Sequence, residues 1–197
     1  MKAQDIRSKI EVAHTFGMRV DLRGVTCEGR LVLDGALVAG VDFSGASFPD
    51  GVSAEGTTFL GLSWFNGITA KDVDFRSALF HNDARFDQAV VCETAMFTNA
   101  EFRGVTQFDS ASIGGPLDLS NVDGYGNFSL ADANVKGVTK FANSEWFGGL
   151  WLDNTQLSDL EVEDMQVHGR LWLKGARLGN QPVLPSRFDV SFGYSYI

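Results

Sequence analysis

From Ala84 to Ile113 the chain reads ARFDQ, AVVCET, AMFTN, AEFRGV, TQFDS, ASI: a small residue, any residue, then Phe, Val or Ile, restarting every five or six positions. A helix returns to one face every 3.6 residues and a strand every two, so neither produces this spacing over many cycles. A short unit that recurs in this way cannot bury an apolar face alone. It must stack on copies of itself, and the chain is therefore a solenoid before it is anything else.

Taking Phe97 as the large residue, or centre, of one unit and stepping by five or six extends the register to thirty units, from Leu22 to Leu178. The centres include Cys27, Phe43, Phe59, Trp64, Phe75, Phe86, Phe108, Gly124, Phe141, Trp146, Leu157 and Val167. The residue two before each centre is almost always Ala, Val, Thr, Leu, Ile or Met, with Ser144 and the bulkier Phe128 as departures. None of these positions carries Asp, Glu, Lys or Arg, although 21% of the chain is charged. On extended backbone, residues two apart point to the same side and the one between points away. Small residue and centre then fill a narrow interior together, and the last two residues of each unit turn a corner.

VDLRG at Val20, VDFSG at Val41, VDFRS at Val73 and LDLSN at Leu117 fit the motif of a small residue, Asp or Asn, Leu or Phe, then two variable polar residues. In these segments the chain resembles the pentapeptide-repeat family, over roughly residues 20–178, with the alternating five/six spacing as a variant. The resemblance implies an all-β fold, a right-handed β-helix of square cross-section with four units per coil. Thirty units then make about seven and a half coils, a rod about 35 Å long at a strand spacing of ~4.8 Å. A corner column agrees. On every fourth unit the second residue after the centre is Gly40, Gly61, Asn82, Gly104, Gly126, Gly148 or Gly169. These are the residue types that accept left-handed backbone at least cost, and that conformation is expected at this corner.

A solenoid exposes core and unpaired strand edges at both ends and needs caps. Residues 1–19 form the N-terminal cap: an amphipathic helix is expected over Ala3–Phe16, with Ile6, Ile10, Ala13 and Phe16 on one face and Gly17 as its stop. Residues 20–178 form the β-helix. In 179–197, Pro182 and Pro185 oppose continuation of the register. There Phe188, Val190, Phe192, Tyr194 and Tyr196 alternate with mostly small or polar residues, as in a half-buried capping or dimerising strand. The resemblance implies dimerisation through this end, so a homodimer is expected. The net charge of −9 argues against direct binding of nucleic acid. Without an 18-residue apolar run or a signal-peptide core, no membrane association and a cytoplasmic location are expected. The separated Cys27 and Cys92 read as free thiols.

No catalytic signature, such as HExxH, CxxC, GxSxG or a Walker loop, is present, and neither a metal nor a cofactor is expected. Register does show which outward side chains stack in columns. Beside the glycine corner, the residues after successive centres are Ala39, Leu60, His81, Arg103, Tyr125, Phe147 and His168. Those before the centres include Glu101, Asp123 and Glu145. This surface is either a solvated face whose acids balance Arg103 or a recognition site, because exposed aromatics, Arg, His and carboxylates are what polar recognition uses. If the chain were an enzyme of isomerase or cyclase type, or bound a small molecule, His81, Arg103, Tyr125, Asp123 and His168 would be the candidates. GGLWLDN and GRLWLKG place Trp151 and Trp172 one coil apart on another outer face, under the tail, a partner or a ligand. A non-catalytic interaction protein is the leading expectation. Its most specific form is the one the resemblance implies: an acidic, DNA-mimicking rod that binds a type II topoisomerase and confers inhibitor resistance. Broken acid columns and the outward Leu37, Leu79, Val90 and Met96 speak against a uniform DNA mimic.

Overall fold

The computed structural model describes residues 1–191 and the backbone of Ser195–Tyr196. Two-residue parallel strands, one per unit, stack into a right-handed β-helix of about eight coils with four faces. Face 1 runs through Val20–Asp21, Val41–Asp42, Ser63–Trp64, Ala84–Arg85, Thr106–Gln107, Phe128–Ser129, Gly149–Trp151 and Arg170–Trp172. Face 2 contains Ser47–Phe48, Thr69–Ala70, Val90–Val91 and Ser112–Ile113, and face 3 contains Leu31–Val32, Val52–Ser53, Val73–Asp74, Ala95–Met96 and Leu117–Asp118. The longer strands Asn134–Lys140 and Gln156–Glu161 run round the corner between faces 2 and 3 and join them into one sheet. Face 4 runs from Leu37–Val38 through Leu79–Phe80, Glu101–Phe102, Asp123–Gly124 and Glu145–Trp146 to Gln166–Val167 and Asp189–Val190.

The interior is built from the expected pairs. Phe43, Phe59, Phe75, Phe80, Phe86, Phe97 and Phe102 are almost wholly buried. Equivalent rings on successive coils lie parallel, as in Phe59–Phe80 at 4.7 Å and Phe86–Phe108 at 4.5 Å. Some polar atoms inside have partners: Thr57 Oγ1 donates to Leu33 O at 2.7 Å, and Trp146 Nε1 donates to Ser144 Oγ at 2.9 Å, whereas the buried Thr106 and Thr139 hydroxyls have none among the described residues. The two irregular units compensate for each other. A Cβ on Gly124 would lie 2.6 Å from the Trp146 ring, which fills the space a larger centre would take, and buried Phe128 packs on Trp146 at 4.5 Å.

One unit differs from the expected register. Phe65, not Trp64, is the buried centre, with fully buried Ser63 as its small partner, and Trp64 faces outward. The pairing of Val41 with Ser63 and of Ser63 with Ala84 fixes this choice, because a one-residue slip would turn every inward side chain of the strand out.

The corner glycines also act for another reason than expected. Gly40, Gly61, Gly104, Gly126, Gly148 and Gly169 do not have positive φ. They stack backbone on backbone: a Cβ on Gly126 would lie 2.2 Å from Gly104 O, and one on Gly148 would lie 2.3 Å from the Gly126 carbonyl carbon. Left-handed residues sit instead at the corners after faces 1 and 3, among them Gly45, Gly67, Ser77, Gln88, Asn99 and Asn121.

At the N-terminal end the helix is shorter than expected, Ala3–Ile10, and caps the first coils with Ile6 and Ile10, both fully buried. It ends at Glu11, so Gly17 is not its stop, and Phe16 is 94% exposed. Residues 11–19 instead form an irregular strap, with Ala39 N donating to Ile10 O. At the other end the register continues past Leu178 after one antiparallel excursion, Gln181–Pro182 against Arg177–Leu178. Asp189–Val190 then extends face 4 and Ser195–Tyr196 pairs with face 1 of the same chain. Phe188 is buried and Val190 packs against the core, while the expected alternation at Phe192 and Tyr194 lies outside the described residues. Cys27 is buried, Cys92 is exposed, and both are free. Among the described residues no helix is long and apolar enough to cross a membrane.

Candidate functional site

Parallel in-register pairing places equivalent residues of adjacent coils directly over one another at the strand spacing. On face 4 this turns a sequence column into a physical ladder. Arg103 Nη1 lies 3.2 Å from His81 Nδ1, and Arg103 Nε donates to Glu101 Oε1 at 2.6 Å. The Tyr125 and Phe147 rings stack at 5.0 Å with 8° between their planes, and Phe147 stacks on the His168 imidazole at 4.8 Å and 8°. His168 Nε2 lies 3.2 Å from Glu145 Oε2. Tyr125 and Phe147 remain 49% and 40% exposed, so the stack presents aromatic surface to solvent.

From His81 to His168 the face 4 residues singled out from the sequence therefore belong to one surface. Its first rungs do not: Ala39 is buried beneath the cap, and Leu60 borders a groove with Val12 and His14. The acid row beside the ladder has its own electrostatics. Partial burial, then the neighbouring Glu145 and Glu101, push the Asp123 carboxyl above its usual range. The charge of Arg103 is already met by Glu101, so chemistry that needs a free guanidinium is not what this arrangement favours. It offers flat rings flanked by carboxylates.

Trp151 and Trp172 are direct register neighbours on face 1, and both are half-buried rather than exposed. The backbone of Tyr196 pairs next to Trp172, so the tail strand of the same chain lies alongside the tryptophan column.

Two features were not singled out from the sequence. One is an acid ridge after face 1, made of Asp87, Asp109, Asp132 and Asp153. Burial and Asp109 raise the Asp87 carboxyl, and burial, Asp132 and Asp109 raise that of Asp153. The register contains this signal, because Asp87, Asp109 and Asp153 each follow a face 1 centre. The other lies around Trp64, beyond reach while Trp64 was assigned to the interior.

A scan against protein-family models finds no match to the chain, and a search of curated proteins finds none. Fold and surface together define a β-solenoid that carries a stacked aromatic and acidic ladder, and the functional reading rests on that geometry.

Proposed function

We propose that this chain is a pentapeptide-repeat solenoid acting as a non-catalytic interaction protein, with face 4 as its docking surface. The Tyr125–Phe147–His168 stack carries the reading, because exposed aromatics held rigid by their neighbours give large contact area at small entropic cost. The flanking Glu101, Asp123 and Glu145 suit a partner with basic groups. A type II topoisomerase is the most specific such partner. The acid ridge of Asp87, Asp109, Asp132 and Asp153 supports DNA mimicry beyond what the broken columns of the other faces suggest. A homodimer through the C-terminal coil belongs to the same reading. The test is inhibition of gyrase supercoiling, or its rescue from a quinolone, with enzyme from the same organism. The effect should weaken with salt, as exposed charges are screened over about 8–10 Å near physiological ionic strength. The Tyr125→Ala/Phe147→Ala variant should lose it. No effect of the unaltered protein on supercoiling removes the topoisomerase version, and full activity of the variant removes face 4.

A further inference from the structure

Most arginines up to Arg103 meet a carboxylate: Arg7 with Glu11, Arg23 with Asp21, Arg30 with Asp72, Arg76 with Asp74, and Arg103 with Glu101. Arg19 and Arg85 form no such ion pair among the described residues, although both are half-buried. Instead they flank Trp64: the guanidinium carbon of Arg19 lies 3.7 Å from the ring centroid and that of Arg85 lies 6.0 Å from it. Arg19 Nε, Arg85 Nε, Trp64 Nε1 and His14 Nδ1 are all shielded from solvent without a hydrogen-bond partner among the described residues. Asn66 Oδ1, two residues beyond Trp64, is an acceptor that none of these donors uses.

Arginine and tryptophan side chains can only donate, so whatever satisfies this cluster must accept. Two guanidinium groups on one indole also leave positive charge without a bonded counter-ion. Of the acids nearby, Asp42 Oδ1 accepts from the Ser44 amide and hydroxyl, while Asp87, raised by its own burial and by Asp109, feels the charge of Arg85 without a bonded contact to it among the described residues. Stacking on Trp64 holds Arg19 in place before any ligand arrives, which lowers the entropic cost of binding.

A pocket of about 190 Å³ shares His14 with the cluster and is otherwise lined by Phe16, Gly17, Met18, Gly61, Leu62 and Asn82. Met18 precedes Arg19 in the strap, and Leu62 and Trp64 are two apart on extended backbone and so face the same side. The pocket is smaller than the roughly 300–1,000 Å³ of sites for drug-sized ligands, so it fits a single ring or a short alkyl chain.

We propose that the strap and face 1 form a binding site for a small organic anion, a carboxylate or phosphate ester on a compact apolar body. Arg19, Arg85 and the Trp64 N–H take the anionic head, and the pocket walled by Phe16, Met18 and Leu62 takes the body. This site is separate from face 4 and stands or falls without it.

Isothermal titration of the full chain with phenylacetate, phenyl phosphate, inorganic phosphate and benzyl alcohol tests the proposal. At least one of the two ring-bearing anions should bind, more tightly than phosphate alone and than the uncharged alcohol, and the tighter of the two identifies the head group. The Arg19→Gln/Arg85→Gln variant should weaken that binding at least about tenfold, as expected for losing a charge-assisted hydrogen bond. Met18→Ser should weaken only the ring-bearing probes, and Arg103→Gln on face 4 should change nothing. If the double variant loses its β-sheet circular dichroism, Arg19→Gln alone serves, because Arg19 lies on the strap outside the coils. The proposal is overturned if neither ring-bearing anion binds up to about 10 mM, if phosphate alone binds as tightly, or if the arginine variant binds like the unaltered protein.

Discussion

Replacing Phe97 by Ala probes the interior within its stack of phenylalanine rings. Phe97 is fully buried and stacks on Phe75 at 5.2 Å and 10°, with near-perpendicular contacts to Phe108 at 5.3 Å and Phe86 at 5.5 Å. A buried Phe→Ala change costs about 3–5 kcal/mol, and collapse of the surroundings sets the position in that range. Here collapse is opposed from both sides, because the neighbouring coils are held at the hydrogen-bonded strand spacing of ~4.8 Å. Aromatic pairs add about 0.5–1.5 kcal/mol beyond their buried area. The loss should therefore fall near the top of the range, a large share of the roughly 5–15 kcal/mol typical of a whole domain. Met96, one residue away and half-buried on the outside, should cost about 1 kcal/mol or less on the same change.

Urea unfolding followed by far-ultraviolet circular dichroism measures both. Solenoid stability is a sum over repeats and their interfaces, so Phe97→Ala can split the transition, the central coils melting first. Equal destabilisation by Phe97→Ala and Met96→Ala would refute the register, and a Phe97→Ala loss below about 1.5 kcal/mol would refute the argument that the coils cannot close on the cavity.

Gly126→Ala should destabilise by about 1–3 kcal/mol, because its Cβ meets Gly104 O at 2.2 Å, whereas Asn99→Gly at a left-handed corner should be neutral or stabilising in the same melts. Asp87, Asp123 and Asp153 have carboxyls raised above their unfolded value, so the folded state holds their protons more tightly. Their contribution to stability is present in acid and is lost as pH rises through the folded pKa, which lies above the ordinary Asp value of about 3.9. Asp74 and Glu11 are lowered by Arg76 and Arg7 and act in the opposite sense, losing their contribution as pH falls through their folded pKa. Asp153→Asn should therefore raise the neutral-pH stability by about 0.5–2 kcal/mol and shrink the gain seen on mild acidification in thermal melts. Truncation after Leu178 removes the buried Val183 and Phe188 and uncovers the edge of the Trp172 strand. It should lower the melting temperature, red-shift tryptophan emission and, on the proposed homodimer, shift sedimentation toward monomer; an unchanged emission maximum counts against the tail as cover for the tryptophans.

The repeat register was legible because burial in a β-helix is set by local alternation, and the face 4 ladder followed from it by counting. The failures have local causes. At Trp64–Phe65 two large apolar residues adjoin, so a five-residue and a six-residue step both end on an acceptable centre, and only pairing with the coils on either side decides. A glycine needed for positive φ and one needed for want of a Cβ look identical in sequence; only the stacking of Gly104 under Gly126 separates them. Ala13 and Phe16 continue the apolar spacing of Ile6 and Ile10 and so imitate a longer helix, yet only Ile6 and Ile10 are buried while Ala13 and Phe16 lie exposed. The cluster at Trp64 depends on Arg19, which lies outside the repeats, so no register could place it.

The two kinds of corner account for the irregular step length, and they set the face 4 ladder beside one of the wider corners. After faces 1 and 3 the turn closes on itself: Ala46 N donates to Phe43 O at 2.8 Å, Ala78 N to Phe75 O at 3.0 Å and Ala100 N to Phe97 O at 2.9 Å. The residue between is left-handed in each case, Gly45, Ser77 or Asn99. An added residue would break that hydrogen bond, and every step across these corners is five residues long. After face 4 no such turn closes the corner. Six of its seven steps, from Phe59 to Phe65 onward, are six residues long, and glycine stacking lets the wider loop sit flush on the coil before it. His81, Arg103, Tyr125, Phe147 and His168 each open one of these wider corners. The helix thus holds its length constant where the backbone closes its own turns, and gains an outward position where stacked backbone alone sets the spacing. Ladder side chains can change there without disturbing a left-handed turn, a freedom shared by the corner after face 2, where steps such as Phe48 to Ala54 and Val91 to Phe97 are also six residues long.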